Sequence, residues 1–195
     1  LIRQGCPIKH LGDGLMCAFH LWPVSTPKYS AFEQAIAFAK EAVKTIASIK
    51  AYPHLHLRVG LHFGPVALAD KDDLDIFGDS VNLSSRLEEA NKAFGSYILM
   101  SEAFRNELLP DIPNIREVDT ICVQGKAEPI TVFTWDFQEL SAGAKRLYSQ
   151  ALIYYRQGAF EAALPLFEQV SESKDTVAKA LFERTKELIA EPPEK

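Results

Sequence analysis

Asn82 and Arg86 stand four residues apart in the stretch DIFGDSVNLSSRLEE, which spans residues 75–89. On a helix that spacing puts an amide and a guanidinium on one shoulder, where together they suit an anion or a developing oxyanion. The helix is legible from its punctuation. A short apolar run ends in Gly78-Asp79, and Asp79 is positioned to cap the first turn. Leu83, Leu87, Ala90 and Phe94 then recur at helical spacing as the face to be buried. A capped helix whose Asn and Arg simply face water satisfies the same pattern.

The elements around this helix follow in order along the chain. Residues 7–19 read as two short strands about Gly12-Asp13-Gly14, a hairpin signal with Asp13 at the tip. Residues 31–50 carry one apolar stripe, Phe32, Ala35, Ile36, Ala39, Val43, Ile46 and Ile49, and predict a helix ended by Tyr52-Pro53. Residues 55–68 read as strand with a break at Gly64-Pro65. Residues 97–100 form another strand, and Ser101 caps a short helix that stops before Pro110. Strands over 115–123 and 130–135 flank QGKAEP, which holds Lys126.

From about Ser141 strand patterns stop and Ala/Leu/Glu-rich helices take over. Two are joined near Gly158, and a third runs from about Thr176 to Ile189. ALIYYRQGAFEAALPLFEQ resembles one tetratricopeptide-type unit. A single such unit cannot bury its own apolar face, so the tail is expected to dock on the rest of the chain through Tyr154, Tyr155 and Phe167, or on a partner. The division expected is 1–139 and 140–195.

Composition sets limits on the whole. The chain has 195 residues and a formal charge of −5, which argues against nucleic acid as a partner. Cys6, Cys17 and Cys122 are widely spaced and odd in number, as in a reduced, cytoplasmic domain. No apolar run reaches membrane-spanning length and no signal peptide opens the chain, although a membrane anchor elsewhere in a longer protein stays open. The first residue is Leu, and the chain reads as a fragment of something longer. His10, His54, His56 and His62 are scattered over strands without metal-ligand spacing and read as packed or surface imidazoles.

Four separated segments, IKHLGDG, LRVGLHFGPV, DIFGDSVNLSSRLE and VQGKAEPITVF, occur in the order found in class III nucleotide cyclases, and residues 7–136 resemble that catalytic domain. The resemblance implies an α+β, ferredoxin-like (palm-type) sheet with helices on one face, here lacking its first strand and helix, followed by the all-helical extension. It implies cyclisation of ATP to 3′,5′-cyclic AMP and pyrophosphate at sites shared between two copies in a head-to-tail homodimer, with an upstream sensor domain. Asp13 matches one of two aspartates that hold a pair of Mg²⁺ or Mn²⁺ ions, which suit carboxylate oxygens. The other lies on an earlier strand that is not in this sequence. Asn82 and Arg86 match the pair that orients the ribose and stabilises charge on the α-phosphate, and Lys126 the lysine on the triphosphate. Lys9 and Asp75 match the base-reading pair. A lysine donor facing adenine N1 and an aspartate acceptor facing the 6-amino group select ATP, and guanine would leave both unpaired. Pro65 departs from relatives that place an arginine there. Two rival readings remain: a catalytically inactive cyclase-like domain that binds nucleotide or dimerises for regulation, and an interaction module worked by the helical tail.

Overall fold

A computed structural model describes residues 8–12, 14–19, 28–69, 75–109, 112, 114–122 and 129–192. Strands β1 (Ile8–Leu11) and β2 (Gly14–Cys17) form an antiparallel hairpin in which Leu11 faces Gly14. Helix α1 spans Lys28–Ala47, three residues earlier at each end than its apolar stripe predicts. The segment read as one interrupted strand divides between two sheets. β3 (Val59–Leu61) enters the main sheet, whereas β4 (Ala67–Ala69) pairs antiparallel with β5 (Asp75–Phe77).

Helix α2 (Asp79–Phe94) follows β5 directly. Asp79 is its first helical residue and not its cap. Gly78 takes the cap position with φ 129°, a conformation that a side chain disfavours. The remaining elements are β6 (Ile98–Ser101), the short α3 (Glu102–Arg105), β7 (Ile115–Ile121), β8 (Ile130–Trp135), α4 (Ala142–Arg156), α5 (Phe160–Ser171) and α6 (Thr176–Ala190). Ser101 caps α3 as expected, its Oγ accepting from Phe104 N at 3.3 Å.

The architecture is α+β with a mixed sheet in the order β3-β6-β8-β7. β3 runs parallel to β6, and the other two pairings are antiparallel. The hairpin β1–β2 and the pair β4–β5 are separate two-stranded ladders. The sheet is covered on both faces, which corrects the expectation of helices on one. Alternate residues of a strand point to opposite sides. Ile98 and Met100 of β6, with Phe133 and Trp135 of β8, pack under Phe32, Ala35, Ile36, Ala39 and Val43 of α1. Leu99 and Val132, joined by Val118, pack under Leu83, Leu87 and Phe94 of α2 and the helices that follow β8. Sequence periodicity shows that a helix has an apolar face, but not which side of a sheet that face will take.

The tail docks on the same face as α2. Tyr155 and Phe167 are buried in one cluster with Leu83, Leu87 and Val132, and Tyr154 is half-buried against it. Polar contacts concentrate on β7, one of the two edge strands of the sheet. Arg116 Nε lies 2.8 Å from Asp136 Oδ2 and its Nη2 2.6 Å from Asp175 Oδ2, while its guanidinium sits 4.3 Å over the Tyr148 ring. Asp175 also caps α6, accepting from Ala178 N at 2.6 Å. Asp119 Oδ2 accepts from Arg184 Nη1 at 2.8 Å, and Glu117 pairs with Arg156. Tyr148 Oη donates to Glu117 O at 2.9 Å. A register shift between Glu117 and Asp119 marks a bulge, the usual device for re-aiming strand side chains.

Candidate active site

Helix α2 carries the centre of the expected site. Its buried residues are Ser80, Leu83, Leu87, Asn91 and Phe94. Asn82 is exposed and Arg86 half-buried on the flank turned away from that line. The two side chains project from adjacent turns of one rigid element, so an anion could meet both.

Asp75 opens β5, opposite Ala69 of β4, and β5 runs through Ile76, Phe77 and Gly78 into α2. Asp75, Asn82 and Arg86 thus lie on one continuous strand–turn–helix unit. Lys9 lies on β1 opposite Met16, half-buried, in the separate hairpin. Asp13 and Lys126 lie outside the described residues, as does Cys6. Among the described residues no three His, Cys, Asp or Glu side chains come together as a metal site, and neither Cys17 nor Cys122 is joined in a disulfide. His62 Nδ1 sits 2.7 Å from Ser101 Oγ, and the His56 ring lies 6.0 Å from that of Tyr97.

The support beneath α2 was not read from the sequence. Asn91 is fully buried; its Nδ2 donates to Val59 O at 3.0 Å and to Leu87 O at 2.9 Å, and its Oδ1 accepts from Ser96 Oγ at 2.8 Å. Ser80 Oγ donates to Pro65 O at 2.7 Å. Gly60 allows β3 to approach α2 closely: a Cβ there would stand 2.0 Å from Ser84 O and 2.6 Å from Glu88 N. The available signal was a polar Asn91 on the line of Leu83, Leu87 and Phe94, where a buried amide must find partners.

A cleft of about 440 Å³ opens elsewhere, at the seam between the sheet and the tail. Its walls include Tyr97, Arg116, Asp136, Phe137, Lys174 and Asp175, and none of the described site residues lines it. Burial pushes the Asp136 carboxyl up to about 6, against the opposing pull of Arg116 and with Asp175 adding to the rise. Asp119 is likewise raised, by burial first, against the Thr120 N–H and Arg184. The Tyr155 hydroxyl is pushed up to about 12 by burial and the nearby Asp119. These are features of a packed seam. No helix of the described residues is long and apolar enough to cross a membrane.

Comparison with known proteins agrees with this layout. An adenylate cyclase of Anabaena cylindrica is 27% identical over 134 residues, covering 64% of this chain and 27% of its own length. The terminal-differentiation-specific adenylate cyclase of Dictyostelium discoideum is 26% identical over 184 residues, covering 84% of this chain and 8% of its own length. The chain therefore spans about a quarter or less of these two relatives. Among solved structures, the adenylyl cyclase CyaB from P. aeruginosa superposes with a TM-score of 0.51 at 25% identity, over 72% of this chain and 77% of that one. Residues 3–135 match the model of the adenylate and guanylate cyclase catalytic domain, and the chain belongs to that family.

Proposed function

We propose that this chain is the catalytic part of an adenylate cyclase that converts ATP to 3′,5′-cyclic AMP and pyrophosphate. The observation that carries the reading is the placement of Asn82 and Arg86 together on the outer flank of α2, inside the stretch that matches the family. The names of the relatives favour ATP over GTP, and so does the chemistry of Lys9 and Asp75, a donor and an acceptor suited to the adenine edge.

In the reaction the ribose 3′-oxygen forms a bond to the α-phosphorus and gives up its proton to solvent water. The bond from that phosphorus to the bridging oxygen of the β-phosphate breaks, and pyrophosphate leaves. Asn82 orients the ribose so that the 3′-oxygen meets phosphorus in line. Arg86 holds the charge that builds on the α-phosphate oxygens, an interaction stronger in the transition state than before it. Lys126 holds the triphosphate and Asp13 is a metal ligand. Mg²⁺ or Mn²⁺, when bound, supplies charge neutralisation on the phosphates and a more acidic 3′-hydroxyl. Each site takes residues from two copies of the chain. The rest of a longer protein supplies a sensor domain, and the catalytic part works in the cytoplasm. The tail, likened above to a tetratricopeptide unit, serves as part of the catalytic body.

The test is production of cyclic AMP from ATP with Mn²⁺, by this chain and by a version extended upstream, with GTP as the competing substrate. ATP turnover in at least one form is expected. Arg86→Ala should lower kcat by about 10²–10³-fold, the range for removing one transition-state donor. Should both forms bind ATP and neither turn it over, the chain is a nucleotide-binding regulatory module.

A further inference from the structure

Apolar contacts alone hold a helix on a sheet without fixing its roll, because hydrophobic attraction has no direction. Helix α2 is fastened by directional bonds at both ends. Near its start, Ser80 Oγ donates to Pro65 O at 2.7 Å, fifteen residues back in the chain. Near its end, Asn91 Nδ2 donates to Val59 O at 3.0 Å, and Ser96 Oγ holds the Asn91 carbonyl at 2.8 Å. The two pins lie roughly 16 Å apart along the axis. Between them the helix backbone rests on Gly60, where even a methyl group would meet Ser84 O at 2.0 Å.

The pins and the expected catalytic pair occupy opposite sides of the helix. At about 100° per residue, Ser80, Ser84 and Asn91 fall within roughly 40° of one another, and Asn82 and Arg86 fall roughly opposite them. Burial agrees: Ser80 and Asn91 are buried, Asn82 is exposed and Arg86 half-buried. Any roll of α2 about its axis is therefore delivered to Asn82 and Arg86. Side-chain ends lie about 6 Å from a helix axis, so a roll of roughly 10° displaces them by about 1 Å. A misplacement of that size can cost on the order of 10²-fold in rate.

We infer that Ser80 and Asn91 are positioning residues, which fix the roll of α2 and so aim Asn82 and Arg86 at the α-phosphate. This rests on the cyclase reading above. The pins act on the groups that meet the transition state. Lys9 and Lys126, outside α2, retain their part in ground-state binding. Loss of a pin should therefore lower kcat with little change in KM.

Three variants of the active form decide the matter: Ser80→Ala, Asn91→Ala and Ser84→Ala. Ser84 lies on the same line, but its Oγ donates to Ser80 O within the helix at 3.0 Å, which makes it the control. Ser80→Ala and Asn91→Ala should lower kcat by about 10- to 100-fold, with KM for ATP within about threefold of the parent, while Ser84→Ala keeps both. Unchanged kcat in a folded Ser80→Ala, or a KM that rises as steeply as kcat falls, overturns the inference. If Asn91→Ala fails to fold, Ser80→Ala decides alone. Amide exchange over residues 80–94 gives a reading without turnover. It should be faster in Ser80→Ala than in Ser84→Ala, and equal rates overturn the assignment. If the parent forms no cyclic nucleotide, the cyclase reading fails and the exchange rates alone decide whether the pins hold α2.

Discussion

The two faces of the four-stranded sheet are covered in different ways. On one, α1 lays Phe32, Ala35, Ile36, Ala39 and Val43 over Ile98 and Met100, with the Phe32 ring edge-on to Phe104 at 5.4 Å and Lys40 Nζ 3.9 Å from the Trp135 ring. On the other, the apolar cluster is threaded by buried polar groups: Asn91, Asp119, Thr134 and Thr185 are all buried, and Arg116 is held between two carboxylates. An apolar cover supplies burial energy and tolerates small slips. Directional bonds between buried groups specify a single arrangement, and leaving them unmade is costly. The polar bonds lie where α2 and the tail meet the sheet, on the side whose outer helix bears the candidate catalytic pair.

Three changes probe that contrast. Phe167 is fully buried and its ring meets those of Tyr148 and Tyr155 at 5.9 and 6.1 Å. Phe167→Ala should cost about 5 kcal/mol, the upper end for an aromatic deleted from a core, as a single cooperative transition in denaturant that includes the sheet. A separate early transition confined to the tail helices would break the comparison by making the tail an independent body.

Arg116→Ala comes next. It leaves Asp136 and Asp175 facing each other across a buried gap and should cost about 3–4 kcal/mol. A loss below about 1 kcal/mol would show that the seam is held by apolar contact alone, as the α1 face is.

The smallest effect concerns pH. Asp136 faces Arg116, Asp175 and Lys145, and its carboxyl rises from 3.8 to about 6, chiefly through burial. A carboxyl raised on folding adds stability below its unfolded value and loses it as pH climbs through the folded one. Asp136 should thus cost the parent up to about 3 kcal/mol between pH 4 and 7. Asp136→Asn cannot titrate and should flatten that part of the stability–pH curve; identical curves would remove the titration from the account of the seam.

Much of this was legible beforehand because it is local. β8 occupies Ile130–Trp135 as its β-branched and aromatic alternation indicates, α6 starts at Thr176, and the Gly158 junction separates α4 from α5. The Asn82–Arg86 pairing follows from helix geometry alone. What stayed hidden depends on contacts between distant segments. Ser80 meets Pro65 and Asn91 meets Val59 through bonds that no periodicity encodes. Gly60 looks like a weak strand residue until α2 is seen lying on it. Asp79 misled because Asp is a favoured cap, whereas the positive φ at the junction selects Gly78. The Arg116 seam joins strand β7 to a helix cap 59 residues later.

The α2–α6 contact also sets an order of events during synthesis. Gly95, in the left-handed conformation that ends α2, accepts from Thr176 Oγ1 at 2.6 Å, across 81 residues. Val177, Ala178 and Leu181 of α6 complete the cluster that buries Leu83, Leu87 and Phe94. A chain emerging from its N-terminus displays the bare side of α2 until residues 176–190 follow. Such long-range closure is slow and leaves apolar surface open in the meantime. A nascent chain stalled between residues 140 and 175 is the species most in need of a chaperone, and α6 is the helix that ends that need.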